Sequence, residues 1–316
     1  MKKSTFLMFT MVAVMSVAFL SCKKTPAPTA EISATIDGYT VTFTAKVTDV
    51  DTYLWDFDDD GETSTEAKPV YTYAMSGTYN VTLTVKGEGG EATATYEITL
   101  EASFLEMLTG GVAAVNGKTW VLSKVASAGE DGSGAVTSDM TIDPPQYNDN
   151  FLVTNGLGAE YDNEFTFKAD GSYSVNPKND TVLAGMVYSY NEGIMLGDPA
   201  YDISMCAASY TALPGATWTL HSEALNVDAI IDPTTSDIPP EHHVVTFTNK
   251  TWISIQGAYF GILDYSTTAM FIIKEIKTDK MKVALFLCGY GYGDNLDDMM
   301  LPTNLIHVTF VPKSAK

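Results

Sequence analysis

Tyr53-Leu54-Trp55-Asp56-Phe57-Asp58-Asp59-Asp60-Gly61, followed by Ser76-Gly77-Thr78-Tyr79-Asn80-Val81-Thr82-Leu83-Thr84-Val85, decides the fold of the first part of this chain. In the second segment Tyr79, Val81, Leu83 and Val85 fall on one side, with Asn80 and threonines on the other. A period of two with one apolar side is a half-buried strand. In the first segment Trp55 and Phe57 share a side, which predicts core, and the aspartates and glycine after them are turn chemistry. Upstream, Val41, Phe43 and Ala45 also alternate with threonines, and Gly87-Glu88-Gly89-Gly90 punctuates the chain between strands. Several short strands within about 70 residues read as a β-sandwich.

Between the two segments lies Pro69-Val70-Tyr71-Thr72-Tyr73. In this order the three stretches resemble the PKD domain, whose family pattern is a WDFGDG segment, a P-x-x-x-Y segment and a GTYTVTLTV strand. The resemblance covers residues 28–101, and Asp58 stands where the family usually has glycine. It implies an immunoglobulin-like spacer without catalytic activity. Fold alone carries no activity in any case.

Working outward to the start, Lys2 and Lys3 precede an apolar run from Phe6 to Leu20, then Phe19-Leu20-Ser21-Cys22. A basic start, an apolar stretch and a small residue before the cut form a secretory signal, and the run is short for a permanent bilayer span. A cysteine directly after the small residue resembles the lipobox of bacterial lipoproteins. The resemblance implies that Cys22 is lipidated and becomes the new N-terminus of an outer-membrane lipoprotein in a Gram-negative bacterium. Lys23 and Lys24 follow where related bacteria often place acidic export residues, so surface-exposed and periplasm-facing locations both stay open. Thr25–Ala30, TPAPTA, reads as a tether. The expected organisation is a signal peptide over 1–21, a tether over 22–30, a PKD-like sandwich over 31–101 and a glycan-binding all-β domain over 102–316.

The chain is 45% hydrophobic, enough for a sizeable core, and its formal charge is −21. So acidic a surface repels nucleic-acid phosphates and anionic lipid headgroups. Membrane contact is therefore expected through the lipid anchor only, and neutral ligands or cations suit the surface better. Beyond Cys22 only Cys206 and Cys288 remain, as one pair or as buried thiols.

Phe104–Leu108 reads as one helical turn stopped by Gly110-Gly111, and from Lys118 the strand pattern returns and runs to Val311. Trp120 and Leu122 share a side, as do Trp218 and Leu220, which predicts core for all four. Phe165 and Phe167 lead through Ala169-Asp170-Gly171 to Tyr173 and Val175, a hairpin signal. Ile253 and Ile255, then Val283, Leu285 and Leu287, then Ile306, Val308 and Phe310 give further strands. The larger domain is thus an all-β sandwich or barrel, with long polar loops expected over Ser127–Gly158 and Asn226–His243. Its segments, from Leu108-Thr109-Gly110-Gly111 and Lys118-Thr119-Trp120 to Phe165-Thr166-Phe167-Lys168-Ala169-Asp170-Gly171-Ser172-Tyr173, resemble two groups. One is the C-terminal region of PKD-containing lipoproteins encoded beside glycan importers; the other is the small lipocalin-like domains. The first resemblance implies a protein that holds glycans, with a polysaccharide or oligosaccharide as ligand and an outer-membrane glycan importer as partner.

Sugars bind in water through aromatic rings on the apolar face of a pyranose, with amides and carboxylates at its hydroxyls. Trp252 breaks the core pattern, because Ile253, Ile255 and Tyr259 occupy one side of its strand while Trp252, Ser254 and Gln256 occupy the other. Trp252 is a candidate stacking platform, with Gln256 as hydroxyl partner. Tyr290 and Tyr292, in Gly289-Tyr290-Gly291-Tyr292-Gly293, form a second one, because the glycines leave the rings uncrowded. Core packing is the alternative for both.

The stretch to weigh for catalysis is Glu160-Tyr161-Asp162-Asn163-Glu164. Strand alternation places Glu160, Asp162 and Glu164 on one face, a spacing that resembles the E-x-D-x-E motif of a retaining glycoside hydrolase family with a jelly-roll fold. There two glutamates serve as nucleophile and acid/base. Asn163 departs from that family's apolar spacing, and the plainer reading is a solvated strand face. No cofactor is expected. Asp56, Asp58, Asp59 and Asp60, and Asp294, Asp297 and Asp298, are oxygen-rich turns that can take Ca²⁺ without matching EF-hand spacing, and no histidine pair has zinc spacing. The preferred reading is a non-catalytic glycan-binding envelope lipoprotein; the alternatives are a hydrolase or an adhesion or structural envelope protein.

Overall fold

The computed structural model describes residues 25–231, 241–264, 268–288 and 301–314. It divides into two compact units, one through Tyr71 together with Thr78–Ile98, the other Thr72–Gly77 together with Thr99 onward.

The first unit is a sandwich of two antiparallel sheets. Its strands are β1 (Thr29–Asp37), β2 (Thr40–Thr48), β3 (Thr52–Asp56), β4 (Thr63–Ser64), β5 (Val70–Thr72), β6 (Gly77–Gly87) and β7 (Gly90–Leu100). They order as β1-β2-β5 and β4-β3-β6-β7. Phe43 from one sheet meets Trp55 from the other and Phe57 just beyond the end of β3, each at 5.6 Å between ring centroids. Val81, Leu83 and Val85 complete the core, as their alternation predicts. Trp55 is tied down by its Nε1–H, which donates to the Glu66 carbonyl at 2.9 Å. Asp58 adopts the left-handed conformation of the glycine it replaces, with φ 58°. Its carboxylate accepts the Asn80 N–H at 2.8 Å, and its own N–H donates to Asp56 at 3.0 Å. Aspartate is one of the few residues that tolerates that region, so the turn survives the change. The expected tether over 22–30 is shorter than read: Pro28 is already buried, and Thr29 and Ala30 belong to β1.

The second unit opens with α1 (Phe104–Thr109), capped by the Ser103 hydroxyl and ended by Gly110 at φ 82°. The strands that follow are β8 (Lys118–Leu122), β9 (Gly132–Ala135), β10 (Glu164–Phe167), β11 (Tyr173–Asn176), β12 (Thr181–Gly185), β13 (Met195–Ala200) and β14 (Met205–Ser209). After them come β15 (Thr217–His221), β16 (Leu225–Ile231), β17 (Glu241–Phe247), β18 (Thr251–Gln256), β19 (Thr268–Ile276), β20 (Met281–Leu287) and β21 (Asn304–Pro312). Short helices α2 (Phe151–Thr154) and α3 (Met186–Asn191) lie between them.

The main sheet runs β11-β10-β8-β21-β20-β19-β18-β15, with β9 added beside β21. Its two end strands meet. The Tyr173 N–H donates to the Ala216 carbonyl and the Trp218 N–H to the Gly171 carbonyl, both at 2.9 Å, so the sheet curls into a near-barrel. Trp120, Phe165, Phe167, Tyr173, Phe271 and Phe310 fill the inside. The outer face of β19, β20 and β21 is covered too: Ile272, Ala284 and Leu305 pack beneath the β16–β17 hairpin with Leu225, Val227 and Phe247. This double coverage explains why β20 reads Met-Lys-Val-Ala-Leu-Phe-Leu with little alternation. A small sheet, β12-β14-β13, joins through Gly185 N–H to the Leu263 carbonyl and Leu263 N–H to the Leu183 carbonyl, each 2.9 Å.

Three expectations change. Asn226–His243 is not a loop at its ends, because Asn226 and His243 lie in paired strands. Ser127–Gly158 likewise contains β9 and α2. Leu220 points to the core side but sits on the end strand β15 and is 43% exposed.

Candidate functional site

The site is built on the outer side of β15, β18 and β19 and on the rim beside them. Trp252 lies opposite His221 in the β15–β18 register. The two rings stack at 3.7 Å with an interplanar angle of 8°. His221 is held in place by Ser254 Oγ at 2.9 Å from Nε2 and Glu223 Oε1 at 2.7 Å from Nδ1. The Trp252 Nε1–H donates to the Glu223 carbonyl at 3.0 Å. The indole is thus half-buried and fixed, with one ring face already taken by an imidazole and its edge touching the apolar cluster under the hairpin. This corrects the picture of an open platform, because the polar side of the strand is partly covered. Gln256 is exposed at the end of the same face, about 13 Å from Trp252 at strand rise. Thr217 and Thr219 from β15 stand beside it, both exposed. Sequence reasoning missed His221, whose pairing with Trp252 depends on a strand register that local pattern does not encode.

Ser254 pairs across to Met270, and Met270 begins the second part of the site. A cavity of about 380 Å³ opens at the rim where β19 starts and β20 ends. Its inner wall is Tyr259, Phe260 and Leu285, all buried in the barrel core. Met270 and Phe286 form its outer wall, and Asn226, Asp228 and Asp264 supply polar groups. Gly257 at φ 78° and Gly261 at φ 71° bracket Tyr259 and Phe260 and turn the chain so that both rings face inward. A side chain at Gly261 would press on Leu285 at 2.7 Å and Phe310 at 3.1 Å. Asp264 accepts the Cys288 N–H at 2.7 Å. Burial pushes the Cys288 thiol well above its usual range, with the Asp264 carboxylate adding to the shift. Cys206 and Cys288 are both buried thiols rather than a bridge. Tyr259 is 2% exposed, and among the described residues its hydroxyl has no hydrogen-bond partner. Tyr290 and Tyr292 lie outside the described residues, while Cys288 and Leu301, which flank that stretch, line the cavity.

The carboxylates proposed for catalysis do not line one strand. Gly158–Asp162 is a 3-10 helix, not a strand, so Glu160, Asp162 and Glu164 share no strand face. The turn follows from Gly156 at φ 77° and from the need to bury Tyr161 beside Leu152. Glu160 is buried, its pKa pushed up by desolvation against hydrogen bonds that include one from Asn163 at 2.8 Å. Asp162 is exposed, with Lys124 at 3.8 Å. For Glu164, burial raises the pKa, but hydrogen bonds from Lys178 and Lys313 outweigh it and leave the carboxyl below its usual range. Among the described residues, no group of three or more histidines, cysteines, aspartates or glutamates is placed to hold a metal ion. Asp56, Asp58 and Asp59 instead cap backbone N–H groups and the Tyr71 hydroxyl. Asp294, Asp297 and Asp298, like Cys22, lie outside the described residues.

Residues 24–102 match the PKD domain family. The N-terminal sandwich is a PKD domain. The pre-pro-metalloprotease PrtV of Vibrio cholerae is 40% identical over 70 residues, which is 21% of this chain and 8% of that protein. The PKD1 domain of Vibrio anguillarum Epp is 31% identical, covering 25% of this chain and 98% of its own, with a TM-score of 0.24. A solved structure from work on carbohydrate-binding modules of the β-sandwich superfamily covers 92% of this chain and 93% of its own at 12% identity. Its TM-score of 0.25 is too low to speak to fold or ligand. The chain spans less than a tenth of PrtV, so nothing of that protease's activity passes to it.

Proposed function

We propose that this protein is a non-catalytic cell-envelope lipoprotein that binds a neutral polysaccharide or oligosaccharide on its C-terminal near-barrel, with the PKD domain as spacer. The observation that carries this reading is the rim cavity. Aromatic walls and amide and carboxylate groups converge there beside a strand face bearing Trp252 and Gln256. Small-molecule sites have this make-up: a mostly apolar concavity with a few polar groups that set orientation. Trp252, Gln256, Tyr290 and Tyr292 are the binding residues of this proposal, Cys22 its lipid anchor, and an outer-membrane glycan importer its partner. The acidic surface favours neutral glycans over anionic ones. Placement of Glu160 in a buried turn and of Glu164 between two lysines supports binding over hydrolysis, because a retaining mechanism needs two carboxyl groups flanking one bond. The test is a native-gel panel of neutral and anionic polysaccharides run against residues 25–316. Retardation by at least one neutral polymer is expected; retardation by none would overturn the reading.

A further inference from the structure

Going beyond the glycan reading and independent of it, we infer that Ser254 is an activated nucleophile. A Ser254–His221–Glu223 relay on the outer face of β15 and β18 lets it take an acyl group from a small neutral ester.

The relay is built by strand register. Ser254 lies directly opposite Thr219, and Trp252 opposite His221, so all four side chains share one face of the sheet, with Gln256 next along β18. His221 Nε2 stands 2.9 Å from Ser254 Oγ, and Nδ1 stands 2.7 Å from Glu223 Oε1. These two hydrogen bonds define a nucleophile, its base and the group that orients the base. The roles follow from the donors. Hydrogen bonds from its own backbone N–H and from His221 hold the Glu223 carboxyl below its usual range, so it is ionised and can only accept. Neutral His221 therefore carries its proton on Nδ1, which leaves Nε2 to accept the Ser254 O–H. The imidazole has little freedom to turn away. Trp252 stacks on it at 3.7 Å, and the Ser222 N–H donates to the other Glu223 oxygen at 3.1 Å.

The same face has access and partners for an ester. Ser254 is half-buried, while its neighbours Thr219 and Gln256 are exposed. They bring a hydroxyl and an amide N–H, donors for the acyl oxygen as negative charge develops on it. In the step, Ser254 Oγ attacks the acyl carbon as His221 Nε2 takes the hydroxyl proton. The bond from the acyl carbon to the ester's alkoxy oxygen then breaks, and that oxygen leaves as the alcohol with the proton returned by His221. The products are acyl-Ser254 and one alcohol, with no change of oxidation state. The acidic surface disfavours anionic esters. Uptake of one acyl group per chain cleaves no glycosidic bond, so it is compatible with a binding role.

The test incubates the chain from residue 25 with p-nitrophenyl acetate, follows nitrophenolate release, and maps acetyl groups by peptide mass spectrometry. A burst of about one equivalent per chain is expected, with the acetyl group on Ser254. Ser254→Ala should remove the burst and leave only slow release from surface lysines. His221→Ala should slow the burst by about a hundredfold, and added imidazole should restore part of it, which a merely structural role would not allow. Glu223 acts through His221 as a positioning residue and is exposed, so Glu223→Gln should cost less, about tenfold, with Glu223→Asp recovering most of the rate. Acetyl groups confined to lysines, a burst unchanged in Ser254→Ala, or a His221→Ala chain that imidazole does not rescue would overturn the relay. Glycan retardation is measured separately, so each of those results leaves the binding reading standing, and a chain that binds no glycan can still acylate at Ser254.

Discussion

His307 offers a perturbation whose size can be worked out in advance. It lies on β21 opposite Gly132 of β9, it is 0% exposed, and neither ring nitrogen has a hydrogen-bond partner among the described residues. Burial, and to a lesser degree the nearby Lys274 ammonium, lower its pKa from 6.5 to about 4. Between those values the unfolded chain carries a proton that the folded chain refuses. Stability is therefore full above pH 6.5, falls as pH drops, and levels off below about pH 4. The full span is about 3 kcal/mol, at roughly 1.4 kcal/mol per pH unit, of which about 2 kcal/mol is gone at pH 5. His307→Leu removes the titration and also a buried polar group without partners, so it should be more stable even at pH 8. The advantage should then grow by about 2 kcal/mol between pH 8 and pH 5. Urea unfolding followed by the fluorescence of Trp120, Trp218 and Trp252 reports on this unit, at several pH values for both proteins. Other titrating groups, Glu160 among them, are shared and cancel in the difference. Parallel stability curves across that pH range would refute the argument, for they would mean that His307 is hydrated or paired in solution.

Trp252→Ala should weaken glycan retardation by a few kcal/mol if the ring is a binding hot spot. It should also cost some stability through the lost His221 stack, whereas Trp252→Phe should keep both nearly intact; normal retardation with Trp252→Ala would remove the residue from the site. Glu160→Gln should change stability at pH 7 by less than about 1 kcal/mol, because the new carbonyl still accepts from Asn163. Neither it nor Glu164→Gln should alter reducing-sugar release, and an activity abolished by both would restore the hydrolase reading. Cys22→Ala should shift the protein from membrane to soluble fractions, since dual acylation is what makes such anchoring stable. Sedimentation with membranes after a salt wash would count against the lipid anchor.

The PKD sandwich was legible because its strands are covered on one side only, so Phe43, Trp55, Val81 and Leu83 stand out by alternation. The β10–β11 hairpin was legible for a related reason. Asp170 and Gly171 are turn residues, and the Asp170 side chain accepts from the Ser172 N–H at 2.9 Å. Two kinds of feature were not legible. One is the β16–β17 hairpin: its connecting stretch carries proline and aspartate loop chemistry, and the apolar face it covers, Ile272, Ala284 and Leu305, is distant in sequence. The other kind is made by distant chain segments meeting: the stack of His221 on Trp252, the backbone closure between Gly171 and Trp218, and the rim cavity. A signal for the cavity was present in Gly257-Ala258-Tyr259-Phe260-Gly261, aromatics bracketed by glycines, the same kind of pattern that singled out Tyr290 and Tyr292. Glu160 misled because a 3-10 turn and a strand both accept acids at alternate positions, and only the burial of Tyr161 separates them.

β21, the last strand among the described residues, sits in the middle of the main sheet, between β8 and β20, and also carries β9. Synthesis order and assembly order are therefore opposed. β8 and β10 can pair early, but β8 has no second neighbour until residues 304–312 have been made, some 180 residues later. A growing chain must hold this unit open, with apolar strand faces uncovered, for most of its synthesis. A message that stops short of β21 removes the central stave rather than an end, and should yield aggregate instead of a shortened but working domain.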